Sequence, residues 1–244
     1  MKILETFPDL VLEVARAHKE AGLTASGHDM DHDLEVSQLA WLILDEVDGR
    51  SALLAAIAGL LHSTDRILER RWNFSQKTIS TVPENLVREA VREMLSRHIP
   101  ITGAKMMRVV EAVVHHGSKP NHKDDDLVLV ALADADRLAN MGATLPIRSG
   151  QHYSELRILN PSTIQVDPSE RSAREKYNSP DSVLYDIQNA IDWYRKPEGP
   201  YALRLRKSIE LGKVRAERLE ALIRDIVAER ELVGLYPYPS EILQ

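Results

Sequence analysis

The chain has 244 residues, of which 43% are hydrophobic and 28% charged, with a formal net charge of −6 and no cysteine. That length can bury a sizeable core, and the composition is that of a soluble globular protein with no expected affinity for nucleic acid. The lack of cysteine excludes disulfides, thiolate metal sites and a cysteine nucleophile, so any metal site must use nitrogen and oxygen ligands.

In chain order, Thr6-Phe7-Pro8-Asp9 opens a first helix, with proline in the first turn and an acid complementing the dipole. It runs to about Gly22, a C-terminal cap. The segment His32 to about Val47 puts His32, Val36, Leu39, Ala40, Ile43 and Val47 on one inward stripe. Ser51 can cap a third helix, Ala52 to His62, apolar almost all round and therefore central. Its apolar run is too short to cross a bilayer. Glu5, Pro8, Asp9 and Glu13 are unlike a secretory signal, so the expectation is a cytoplasmic protein without membrane contact.

Pro83 opens a fourth helix with Val87, Val91, Met94, Leu95 and His98 in line, and Lys105 to His116 forms a fifth that stops at Gly117. A sixth starts near Asp124-Asp125-Asp126, and its inward stripe is Leu127, Val130, Ala131, Asp134, Leu138 and Met141. Asp136 is turned away from that stripe. The stretch from Gly142 to Ser179, with three prolines, reads as a long loop or lid. Helices follow from about Asp181 to Arg195 and from about Ala202 to Glu231. Trp193 and Tyr194 are candidates for a homodimer contact, core packing being the alternative. The expectation is one all-α domain over 1–244: a core of about 10–145, a loop or lid and helix over 146–200, and a C-terminal helical extension over 201–244.

Four helices thus carry His32, His62, His98 and Asp134 on, or at the end of, a buried stripe, and His115 and His116 add a fifth. A single such histidine is ordinarily a hydrogen-bonded core residue. Several together, with a carboxylate that is costly to bury alone, suit a metal ion.

Three segments resemble the HD superfamily of metal-dependent phosphohydrolases. Gly27-His28-Asp29-Met30-Asp31-His32 followed by Val36 is similar to its opening motif, Ala58-Gly59-Leu60-Leu61-His62 to the helix ending in the His-Asp pair, and Ala133-Asp134-Ala135-Asp136-Arg137-Leu138 to the last motif. The resemblance covers about residues 10–145 and implies an HD-domain helical bundle. It also implies a divalent metal (manganese, iron, cobalt, nickel, zinc or magnesium) held by His32, His62 and Asp134. His98, His115 and His116 resemble the extra histidines of its dinuclear branches. The family's aspartate after the second histidine is Ser63 here, a poor ligand without compensating charge. Asp65 could re-enter the site if the chain turns sharply, or it pairs with Arg66 or caps a turn. Asp29, Asp31 and Asp33 lie beside His32, where they position water or cap the helix.

The implied activity is hydrolysis of a phosphate ester of a nucleotide or related small molecule by metal-activated water. Arg66, Lys105, Arg137 and Arg148 are candidates for the substrate phosphates, the alternative for each being a solvated surface charge. The competing readings are a degenerate domain that binds metal or nucleotide without turnover, for which Ser63 argues, and a dinuclear-iron oxygenase.

Overall fold

The computed structural model describes residues 2–23, 28–74, 80–117, 120–152, 154–165 and 180–239. Among these there are helices and no strand, with one isolated bridge pairing Arg157 and Ser182. The fold is all-α. Two compact units emerge, Met1–Ala139 with Arg204–Ser208, and Asn140–Leu203 with Ile209–Gln244.

The first unit begins with α1 (Lys2–Thr6) and α2 (Pro8–Ala21). Pro8 sits in the first turn of α2, and Gly22 ends it in a left-handed conformation (φ 70°), its N–H reaching the carbonyls of His18 and Lys19. Next comes α3 (Met30–Leu44), whose cap is Asp29: its carboxylate accepts the His32 N–H at 3.0 Å. The expected central helix is α4 (Gly49–Leu61), starting a turn earlier than the sequence suggested. Its cap is Asp48, which accepts the Arg50 N–H at 3.1 Å, while the Ser51 hydroxyl donates back to Asp48 at 2.6 Å. Almost every residue from Ser51 to Leu61 is buried.

After the break at Ser63 the chain enters α5 (Thr64–Arg71), which periodicity had not disclosed, then α6 (Glu84–His98), α7 (Gly103–His115) and α8 (Leu127–Ala139). Helices α3, α7 and α8 pack around α4. The tightest approach is between α3 and α4. A Cβ on Gly59 would lie 2.7 Å from the Cα of Ser37, so only glycine fits, and the Ser37 hydroxyl donates to the Ala56 carbonyl at 2.8 Å across the same crossing.

On α8, Asp134 is fully buried and faces the start of the final helix. Its Oδ2 accepts the N–H groups of Arg204 and Leu205, both at 2.9 Å, and the Ser208 hydroxyl. A buried carboxylate thus satisfies the donors at a helix N-terminus, and the helix dipole favours its charge.

The second unit contains α9 (Leu145–His152), α10 (Pro161–Ile164), α11 (Val183–Arg195) and most of α12 (Arg206–Leu232). The expected loop therefore holds a two-turn helix whose Pro146 is tolerated in the first turn. Residues 166–179 of that expectation lie outside the described residues. Ser182 caps α11 by accepting the Tyr185 N–H at 3.2 Å, and α9 and α10 pack against α11. Arg195 of α11 grips Glu220 of α12 through bonds of 2.6 and 2.8 Å. Among the described residues no helix is long and apolar enough to cross a membrane.

Gly59→Ala forces α3 and α4 apart and should cost about 1–3 kcal/mol. Urea denaturation should show this as a lower midpoint at unchanged slope; an unchanged midpoint would contradict the close crossing.

Candidate metal centre

The α3–α4 crossing sets the site. Asp29 holds His32 in the first turn of α3, and His62 is the C-cap of α4. Their rings meet edge to face at 5.0 Å, with His28 5.8 Å from His32 and His116 5.3 Å from His62. His28, His32 and His62 each offer a ring nitrogen within 4.8 Å of the other two. From α8, Asp136 brings its Oδ1 to 3.3 Å from His32 Nε2 and 3.8 Å from His62 Nε2.

The ring nitrogens are oriented for an ion. The Nδ1 of His62 donates to the Gly59 carbonyl at 2.7 Å, so in the neutral ring the Nε2 lone pair faces the cluster. His116 does the same through Nδ1 and the Val113 carbonyl at 2.8 Å. His32 is buried; its Nδ1 has no hydrogen bond among the described residues, and its Nε2 faces Asp136 Oδ1 at 3.3 Å. An orphaned buried nitrogen is costly. Ligand atoms about 2.1 Å from a tetrahedral ion stand about 3.4 Å apart, close to the separations of Asp136 from the two imidazoles. Imidazole nitrogens with a carboxylate oxygen therefore fit a divalent cation, and His32, His62, Asp136 and His28 are the residues that can hold it.

The charges agree with this. Burial holds the His28 pKa well below the ordinary histidine value, helped by the positive charges of Arg66, His32 and His62. Burial likewise lowers His62, with Asp33 opposing. Burial pushes the Asp136 carboxyl upward, yet the close contact with His32 and the charges of His62, His32 and His116 outweigh it and hold the pKa well below the carboxylate range. Near neutral pH, His28 and His62 are uncharged donors and Asp136 is an anion.

Of the residues singled out in the sequence, His32, His62 and His116 come together here. Asp134 does not join them: it lies two positions from Asp136, about 200° around the helix, and is taken up by Arg204, Leu205 and Ser208. His98 is bound to Glu13 of α2, which also holds Arg97 at 2.8 Å. His115 lies 3.2 Å from Glu111 and 3.4 Å from Arg88. Asp65 is engaged locally, accepting the Arg66 N–H at 2.8 Å in the first turn of α5. Arg66 donates to Glu69 at 2.9 Å, and its charge reaches His28. Arg137 is buried and donates to Asn121 at 2.9 Å, Lys105 is exposed on α7, and Arg148 lies on α9 of the second unit.

Sequence reasoning missed Asp136 and His28 as donors, and the part played by Asp33. Asp33 is buried between the His18 ring at 2.8 Å and the Ser63 hydroxyl at 2.7 Å. The usable signal for Asp136 was its separation from Asp134, which sends the two acids to opposite sides of α8.

Two predictions follow from these placements. Asp134→Ala strands buried donors and should lower the unfolding free energy by about 3 kcal/mol, while retained metal content should match the unaltered protein; loss of metal without loss of stability would reverse the assignment. For metal-free protein, unfolding returns His28 and His62 to about pKa 6.5. The unfolded chain then binds more protons below that value, so the melting temperature should fall as the pH drops from about 7 to about 5.5. The stabilisation from Asp136 persists above about pH 4 and is lost in more acid solution as the folded carboxyl takes up its proton. A melting temperature constant from pH 7 to 5.5 would contradict the buried neutral imidazoles.

Residues 29–141 match the HD domain family. The fold is similar to that of Bacillus subtilis YpgQ, solved in complex with ADP, at 18% identity and a TM-score of 0.53, covering 88% of this chain and 97% of that one. No curated protein matches the chain. The family match spans the helices that carry His32, His62 and Asp136, and that part of the chain is similar to the HD domain.

Proposed function

We propose that the chain is a metal-dependent phosphohydrolase acting on a phosphate ester of a nucleotide or related small molecule. The observation that carries this reading is the convergence of His28, His32, His62 and Asp136, with Nδ1 of the buried His32 lacking a hydrogen bond among the described residues. A bound divalent cation supplies water of lowered pKa and stabilises charge on a phosphoryl oxygen. The chain's own residues keep the donor set neutral at His28 and His62 and anionic at Asp136. Arg66, whose charge acts on His28, is the first candidate cation for a substrate phosphate, its guanidinium held by Glu69. The complex of YpgQ with ADP makes nucleotides the first substrates to test. Lys105, on the exposed first turn of α7, is a secondary candidate for a phosphate contact.

Ser63 favours a second reading, a domain that binds metal or nucleotide without turnover. Metal content of protein purified without chelators, and turnover on nucleotides and phosphate monoesters with added manganese, cobalt or nickel, separate the two. The expected result is retained metal and measurable hydrolysis, with both lost in His62→Ala. Retained metal without hydrolysis of any substrate would favour the second reading, and protein that neither retains nor takes up metal would sink both.

A further inference from the structure

The buried polar groups behind His62 extend the donor set. Ser63 has one hydroxyl proton, and it points to Asp33 Oδ1 at 2.7 Å. The oxygen lone pairs are thereby left for the cluster, where Ser63 Oγ stands 3.4 Å from His62 Nε2. The His62 proton is likewise committed elsewhere, on Nδ1 toward the Gly59 carbonyl at 2.7 Å. Two lone-pair-bearing atoms therefore face each other at 3.4 Å with no proton to share. That separation is the one expected for two ligands of a tetrahedral ion about 2.1 Å from each. Asp33 is 1% exposed and its Oδ1 lies 3.5 Å from His62 Nδ1, with its other oxygen held by His18 Nε2 at 2.8 Å. It is thus a fixed carboxylate in contact with both His62 and Ser63.

Resting on the metal-centre reading above, we propose that Ser63 is an oxygen ligand of the metal and that Asp33 is the positioning residue that makes it one. Asp33 takes the hydroxyl proton in a hydrogen bond, turns the oxygen toward the ion and supplies negative charge behind it. Partners behind metal ligands are commonly worth about 10–100-fold in metal affinity. A neutral serine becomes an effective donor because a carboxylate polarises it through its own O–H bond.

Cobalt(II) and manganese(II) titrations of the full chain test this, with the visible absorption of bound cobalt(II) as a second readout and melting temperature as a check on folding. Ser63→Ala and Asp33→Asn should each weaken binding about tenfold or more and alter the cobalt spectrum in the same way. The double variant should bind no more weakly than the weaker single, because the two residues act as one unit. The exchanged pair, Asp33→Ser with Ser63→Asp, should recover affinity that Asp33→Asn loses. If the unaltered protein takes up metal while Ser63→Ala binds it with the same affinity and spectrum, this proposal falls and the metal centre stands. Affinity losses that simply add in the double variant would also overturn it. Protein that takes up no cobalt or manganese would overturn the metal centre and this proposal together.

Discussion

The site depends on one close approach of two helices. With no side chain at Gly59, the backbone of α3 at Ser37 comes within the space a Cβ would fill. Ser37 answers the nearby Ala56 carbonyl with its hydroxyl at 2.8 Å. This crossing fixes the separation between His32, carried by α3, and His62, carried by the end of α4. Their rings meet at 5.0 Å, close enough to share an ion. The Gly59 carbonyl also receives the Nδ1 proton of His62, so the residue that brings the helices together helps select the nitrogen that faces the cluster.

Much of this was legible in the sequence. Apolar periodicity gave the helices carrying His32, His62, His98 and His115, and the nearly all-apolar run before His62 marked the central helix. The weak point was the acid on α8. Asp134 interrupts an apolar stripe, and a buried carboxylate there suggests an ion; in the structure its partners are the N–H groups and hydroxyl at the start of α12, with the Arg137 guanidinium 3.7 Å from its other oxygen. The first of those N–H groups is 70 residues further along the chain. Donors at a helix start, its partial positive charge and a neighbouring guanidinium together satisfy a buried carboxylate without a metal ion.

The extra histidines make the same point from the other side. His115 and His116 are adjacent, about 100° apart around the helix axis, and only His116 turns to the ring of His62. His115 goes to Glu111 and Arg88, and His98 goes to Glu13. Each is a histidine claimed by an acid on its own or a neighbouring helix. Periodicity places a histidine on a face but cannot say whether a carboxylate waits there. Helices α5 and α9 escaped notice for a different reason: each is only eight residues long, too short for a stripe to repeat.

The serine at position 63 and the acid at position 33 are best understood as one feature. They lie 30 residues apart, and only the packing of α3 against the end of α4 puts them at 2.7 Å. A carboxylate at 63 with Asp33 retained would place two acids at hydrogen-bond distance in a buried site. In the metal-free protein, like charges so close repel, and one carboxyl would be pushed toward its protonated form. Asp33 is fastened from its far side by the His18 ring, which fixes the carboxylate where Ser63 can reach it. Read by itself, Ser63 looks like a lost ligand. Beside Asp33, it is the position at which a hydroxyl, not a second acid, is compatible with the charge already buried there.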